Sequence, residues 1–383
     1  MEILHTDIHL LDLEARLPFK YGIVTMTRCP HCFVRVRLAT EAGEFQGVAA
    51  DVLPPKWFTK VPEKALEEET DEMLHVVGHA AQAAHGLAGT TAYEIYLQLR
   101  SAQSDWGASQ SHPPLLSQFG TSLFERALLE AACRSRGAAF ADVVRADAFG
   151  MRLGDFDGRL RNLTPADLLP PPLTSVIARH TVGMVDPLTE ADVGPDERVD
   201  DGLPQSLEAC ITAYGLTHYK LKVSADRDQD LDRLQQIAAV IAAVPTSEFA
   251  FSIDGNECFT SLDQFRDWWE TISTDAGLRS FMPHLLFVEQ PFHRDVALAA
   301  AAVGGLRSWD RRPPLIIDES DAEPGSAVQA LELGYDGTSH KNCKGIFKSI
   351  ANACLLQKLG RDGTRDRDGV GEIAIADVGD GQR

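Results

Sequence analysis

The sequence predicts a parallel β/α barrel with a small α+β domain in front of it, and three observations lead there. Nearly all-apolar strand-like segments alternate with helical ones from residue 173 to about 360, the pattern of a parallel sheet covered on both faces. Five of those segments end on a residue able to bind a metal or move a proton: HYKLK at Lys222, FSID at Asp254, LLFVE at Glu289, LIID at Asp318 and GTSHK at Lys341. The steps between these residues are 32, 35, 29 and 23. Eight units sharing about 250 residues gives roughly 31 per unit, so the steps fit a barrel. Catalytic groups in such barrels stand at the C-terminal ends of the strands.

Residues 1 to about 58 read as β-structure. IHLLDLEA, HCFVRVRLAT and GEFQGVAADVL alternate apolar and polar side chains, with AGE and LPP as turns. Helical patterns follow from Pro62 to about Ala148. PEKALEEETDEMLHVVGHAAQAAHGL has an early proline and an acidic first half, as a helix N-terminus favours. TSLFERALLEAACRSRGAAFADVV repeats apolar residues at three and four, with Thr121 as the expected cap. Residues 1–150 are therefore expected to form the α+β domain. From 151 to 172 the pattern dissolves into Gly, Asp, Arg and the prolines 170 to 172, a linker.

The barrel is assigned to residues 173–360. VIARHTVGM, SLEACITAYG, HYKLKV, DQDLDRLQQIAAVIAAV and FAFSID lead into DQFRDWWETIST, LLFVEQ, DVALAAAAVGGL, PLIIDE, SAVQALELG, the strand to Lys341 and GIFKSIANACLLQKLG. Six strands are recognisable, near 176, 218, 250, 286, 315 and 337, whereas a closed barrel has eight. Residues 361–383 read as an irregular tail in which only IAIADV has strand character. The barrel is thus expected to be incomplete at its C-terminus.

Composition narrows the function. The 383 residues carry 36 basic and 56 acidic side chains, a formal net charge of −20. That argues against a nucleic-acid or anionic-membrane surface. No stretch approaches the 18 or so apolar residues of a membrane span, and MEILHTDIHLLDLE lacks a basic signal region, so a cytoplasmic location is expected. The 7 cysteines are odd in number and unpatterned, as reduced thiols would be. Cys29-Pro-His-Cys32 precedes a strand rather than a helix and has no second C-x-x-C, so it reads as neither a redox pair nor a zinc site.

Asp254, Glu289 and Asp318 are oxygen ligands suited to a hard divalent cation. Mg²⁺ keeps positions for water and substrate oxygens, which leaves room for a substrate carboxylate. Such an ion stabilises the charge formed when a proton leaves the carbon beside that carboxylate. Lys222 and Lys341 come from opposite sides of the ligand strands, and a lysine beside a cation and another ammonium is a usable base. Lys220 alternates with Lys222 on one strand and points the same way, as a residue that positions it. His340 should point to the opposite side, and Lys344 should lie nearer the following helix. Any one acid at a strand end is more often a helix cap than a ligand; the five-part order is what carries the reading.

YKLKV, SIDGNE, FVEQP, IIDES and SHKNCKG resemble the K-x-K, D-x-N, E-Q-P, D-E-S and K-x-x-K-G signatures of the enolase superfamily, in its muconate-lactonising and mandelate-racemase-like branch. The resemblance spans about residues 1 to 355 and includes SLFERALLEAA of the capping domain. It implies a (β/α)7β barrel, Mg²⁺ (with Mn²⁺ as the alternative) and an enolate intermediate. By position, Lys222 and Lys341 match the acid/base pair, and Asp254, Glu289 and Asp318 match the metal ligands. The family's substrate-contacting loops would fall near residues 19–27 and 49–58. Two departures stand out: the stretch from about 150 to 205 is long, and the resemblance fades near Gly360, as a frameshift or early stop would cause.

The leading expectation is an isomerase or lyase that takes the α-proton from a small carboxylic acid, with racemisation or epimerisation, cycloisomerisation and dehydration all open. A homo-oligomer is compatible with it. The alternative is an inactive relic or binding protein of the same fold. A metal-dependent hydrolase is the weakest reading, because no histidine pair lies at these strand ends.

Overall fold

A computed structural model describes residues 1–21, 23–244 and 248–361. The first half is a three-stranded antiparallel sheet, β1 (Glu2–Leu11), β4 (His31–Thr40) and β5 (Gly43–Val52), in the order β1-β4-β5. A separate hairpin, β2 (Glu14–Tyr21) and β3 (Val24–Arg28), stands beside it. IHLLDLEA, read as one strand, is divided between β1 and β2. β4 shows why this sheet forms: Cys32, Val34, Val36 and Leu38 alternate into the core while their neighbours face outward. Burial pushes the Cys29 and Cys32 thiols up to about 11, the reverse of a reactive redox pair.

The sheet packs on α1 (Leu66–Ala84), α2 (Ala92–Ser109) and α3 (Pro114–Arg136), with α4 (Phe140–Arg145) and α5 (Pro165–Leu168) following. β5 meets α3 backbone to backbone, since a Cβ on Gly47 would lie 1.9 Å from the Ala127 carbonyl oxygen. Thr121 is not a cap. It is buried inside α3, because the Pro113-Pro114 pair starts that helix earlier, with proline in the first turn where its missing N–H costs nothing. Residues 151–172, expected as a linker, contribute Leu153, Leu160 and Leu168 to this first core.

The second half alternates strand and helix: β6 (Arg179–Val182), α6 (Leu207–Tyr214), β7 (His218–Lys222), α7 (Arg227–Ala243), β8 (Ala250–Asp254), α8 (Leu262–Thr274) and β9 (Leu285–Glu289). α9 (Arg294–Ala297), α10 (Ala300–Val303), β10 (Leu315–Ile317), α11 (Ser326–Leu333), β11 (Gly337–Thr338) and α12 (Ile346–Arg361) complete it. Strands β6 to β11 form one parallel sheet in sequential order. Its second core, with Leu221, Phe251, Ile253, Phe265, Trp268 and Val288, lies between sheet and helices.

Among the described residues the sheet has six strands, at the six expected places. The first is shorter than the sequence suggests. Val176 and Ile177 are exposed and outside it, because β7 starts only at His218, the partner of Arg179, and leaves them nothing to pair with. IAIADV lies outside the described residues. α12 returns to the first core through Phe347, Ile350, Cys354 and Leu355. Its start is fixed by the buried Glu125 of α3, which accepts the Phe347 N–H at 2.7 Å, and burial pushes that carboxyl up to about 7. No described helix is long and apolar enough to cross a membrane.

Candidate active site

Strand register assembles the site. Lys222 pairs with Asp254, and Asp254 with Glu289, so three strand-terminal residues stand side by side at one level. Lys220 and Lys222 share a face of β7 while Tyr219 and Leu221 pack into the helix-side core. Lys222 Nζ donates to Asp254 Oδ2 at 2.7 Å. Lys220, fully buried, bridges two carboxylates: its Nζ lies 2.9 Å from Asp254 Oδ2 and 3.2 Å from Glu289 Oε2. Arg179 of β6 reaches the same Glu289 oxygen at 3.5 Å and donates to Ser252 Oγ at 2.8 Å.

Asp318 and Lys341 arrive differently. Asp318 follows β10, and Gln290 fixes it by accepting its backbone N–H at 2.7 Å and that of Ser320 at 3.2 Å. Lys341 lies beyond β11, with Nζ 2.5 Å from Asp318 Oδ2. The other Asp318 oxygen accepts from Ser339 Oγ at 2.7 Å and from Lys344 Nζ at 3.0 Å. Lys344 thus turns back into the site instead of lying with the following helix. Its ammonium is buried and also donates to two acceptors on Ser339. His340 faces away, toward Ser349 and Asn342, and burial lowers it to about 4.

The loops beyond the ligand strands are tightly drawn. Asn256, Glu257 and Gln290 have φ of 43°, 65° and 37°, values that asparagine tolerates but that are uncommon for glutamate and glutamine. A Cβ on Gly255 would lie 2.7 Å from Pro291 Cα, so the D-x-N loop rests directly on the E-Q-P loop.

Electrostatics separates the carboxyls. Burial would raise Asp254, but Lys220, Lys222 and Lys341 hold it well below the usual carboxylate range. Asp318 is likewise driven down against its burial by Lys341, Lys344 and Lys220. Glu319 goes the other way: burial, then Asp318 and Glu257, push it up to about 8. Its Oε2 has no hydrogen-bond partner among the described residues. Sequence reasoning missed Glu319 because strand alternation would send the residue after Asp318 outward; β10 ends at Ile317, so the alternation no longer applies. The 49–58 loop does reach the site, where the Trp57 ring lies 4.8 Å from Lys341 Nζ.

The donor set suits a hard cation in kind, with three buried carboxylates at neighbouring strand ends, and Lys220 already stands as a cation between two of them. As they stand, no three His, Cys, Asp or Glu side chains among the described residues converge closely enough to hold an ion. Lysine ammonium groups occupy their faces.

No family model and no curated protein matches the chain. Its fold matches many solved structures of enolase-superfamily enzymes. A dipeptide epimerase from Cytophaga hutchinsonii, complexed with Mg and the dipeptide D-Ala-L-Val, is 16% identical with a TM-score of 0.62 over 94% of this chain and 77% of that one. An N-succinyl Arg/Lys racemase from Bacillus cereus ATCC 14579 is 15% identical, TM-score 0.60, over 95% and 78%. A 2-chloromuconate cycloisomerase from Rhodococcus opacus 1CP is 18% identical, TM-score 0.61, over 95% and 79%. Several of these structures contain Mg. At such identities the likeness establishes the fold: a parallel-sheet domain behind an antiparallel capping sheet.

Proposed function

We propose that this chain is an enzyme that removes the proton α to the carboxylate of a small carboxylic acid, through an enolate. The observation that carries this reading is the register-built row Lys222, Asp254 and Glu289, closed on the far side by Asp318 and Lys341. Asp254, Glu289 and Asp318 would hold Mg²⁺, with Mn²⁺ as the alternative, and the bound ion would neutralise charge on the substrate carboxylate and the enolate.

The chain's own groups do the proton work. Lys222 and Lys341 flank the carboxylate row from its two ends, so one ammonium-derived amine takes the Cα proton at Nζ while the other faces the opposite side of the substrate. Lys220, buried between Asp254 and Glu289, holds both carboxylates in position. Trp57 covers Lys341 and limits its contact with water. Return of the proton to the other face gives racemisation or epimerisation; loss of a β-hydroxyl as water, its proton supplied by a lysine ammonium, gives dehydration, and ring opening or closure gives cycloisomerisation.

A panel of carboxylic acids, incubated in D2O with the chain and Mg²⁺, tests this directly. Deuterium at Cα in at least one of them, lost when the lysine that faces that proton is replaced (Lys222→Ala or Lys341→Ala), is the expected result. Exchange that survives both substitutions would remove the lysines from the mechanism. The second reading, a binding protein of the same fold, draws on one observation: each of the three carboxylates already has a lysine ammonium beside it, and among the described residues no set of three converges on an ion. It expects neither exchange nor a response to Mg²⁺.

A further inference from the structure

One buried ionic cluster outside the carboxylate row spans both halves of the molecule. Glu257 stands three residues past Asp254, almost fully buried. Arg294, the first residue of α9, donates Nε to Glu257 Oε1 and Nη2 to Oε2, both at 2.7 Å, and its backbone N–H to Oε1 at 2.9 Å. The same guanidinium crosses to the capping domain, where it donates to the carbonyls of Trp57 and Phe58, each at 2.8 Å. Lys60 of that domain reaches back, with Nζ 3.3 Å from Glu257 Oε2 and a hydrogen bond to the Asn256 carbonyl.

The loop between β5 and α1 is therefore tied at both ends. On its own side, Lys56 at φ 62° is buried and donates to Glu69 Oε1 at 3.0 Å. On the barrel side, residues 57, 58 and 60 are held by Arg294 and Glu257. Trp57 sits between the two anchors, edge-on to Phe58 and against the Lys341 ammonium. Phe58 in turn packs on Phe119 of α3. A guanidinium shared between a bidentate carboxylate and two carbonyls is a directional, charge-assisted clamp. Taking away its carboxylate leaves the partly buried Arg294 and Lys60 without their counter-charge. Burial alone would raise the Glu257 carboxyl, but Arg294 and Lys60 hold it below its ordinary range, so the clamp stays charged.

We propose that Glu257 is a positioning residue: through Arg294 and Lys60 it docks the capping loop on the barrel and holds Trp57 against Lys341. The consequence for catalysis rests on reading Lys341 as a base; the docking itself does not. The capping domain then sets the surroundings of one of the two lysines, and a barrel with all its strand-end residues but a loosened loop would lose efficiency at that lysine.

The test uses the full chain labelled with 5-fluorotryptophan and read by fluorine NMR. Its 5 tryptophans give five signals, and Trp57→Phe identifies the one that matters. Glu257→Gln and Lys60→Met should each shift or broaden the Trp57 signal and leave the four others in place. Lys341→Met should move the same signal by removing the ammonium beneath the ring. If Glu257→Gln collapses all five signals, Lys60→Met decides, because it leaves the Glu257–Arg294 pair intact. A Trp57 signal unmoved in every folded variant overturns the proposal. With an acid that the wild type exchanges, Glu257→Gln should lower kcat on the order of tenfold to a hundredfold, as misplacement of a catalytic group does, with KM changed much less. Absence of wild-type exchange would end the enolate reading and leave the NMR test standing; intact exchange with an unmoved signal would end the docking proposal alone.

Discussion

The two halves of the candidate site are built by different means. Lys222, Asp254 and Glu289 end five-residue strands that pair in register, so backbone hydrogen bonds fix their relative heights. Asp318 and Lys341 lie past β10, with three residues, and β11, with two. There the backbone ladder is too short to place anything, and side chains take over: Gln290 holds the Asp318 and Ser320 amides, while Ser339 and Lys344 hold the Asp318 carboxylate. Beyond them Asp321 accepts from Thr338 and Asn352 and pairs with Lys348 at 3.0 Å. A site can thus be half sheet-built and half network-built. The network half should be the easier to loosen by substitution without breaking the fold.

The largest effect should come from the sheet-built half. Lys222→Ala removes the proton carrier, and about 10²–10⁴-fold of the exchange rate should disappear. Asp254 loses one buried counter-charge but keeps the Lys220 ammonium at 2.9 Å, so stability should fall by less than at Lys344, whose ammonium also serves two Ser339 acceptors. In the network half, stability and activity should fall together. Lys344→Met strips Asp318 of a buried counter-charge, a change that costs about 3–5 kcal/mol when one partner of a buried pair is lost. Denaturant titration should show it as a lowered midpoint at unchanged slope. Gln290→Ala orphans the amides of Asp318 and Ser320 and should cost roughly 2 kcal/mol, read the same way. A stability change at Lys222→Ala as large as that at Lys344→Met would erase the contrast between the halves.

The one pH-dependent effect concerns the seat of α12. Glu125 is raised from its ordinary value to about 7 by burial. The native state then binds more protons than the unfolded chain between about pH 4.5 and 7, so this group's contribution is full below that window and is lost as pH rises through it. Glu125→Gln, which can still accept the Phe347 N–H, should flatten the pH dependence of Tm over that window, by roughly 5 °C in all. A Tm profile identical to wild type would show that Glu125 does not titrate there.

Much of this was legible in the sequence, for a physical reason. Strand positions, and the row from Lys222 to Lys341, follow from local alternation and from the near-constant length of a β/α unit. What failed was also local, and instructive. Thr121 carried the chemistry of a cap, but the two prolines upstream had already opened the helix. Val176 and Ile177 had strand propensity, but a strand needs a partner, and β7 begins too late to supply one. Lys344 was expected nearer the following helix, but its side chain turns back to Asp318 and Ser339, and Glu319 was not singled out at all. The Glu257–Arg294–Lys60 clamp was out of reach altogether, since Trp57 and Arg294 meet across 237 positions of sequence. IAIADV, the one strand-like segment of the tail, lies outside the described residues.

Whether the row of carboxylates holds an ion decides between the enzyme and the binding-protein readings, and thermal unfolding measures it most directly. The full chain and Asp254→Asn would be melted with and without Mg²⁺. The account expects one cooperative transition whose midpoint rises with Mg²⁺ in the wild type and stays fixed in the variant, as binding to the native state alone requires. A folded wild type whose transition ignores Mg²⁺ would contradict it, and would mean that the lysine ammonium groups, not a metal, are the permanent partners of Asp254, Glu289 and Asp318.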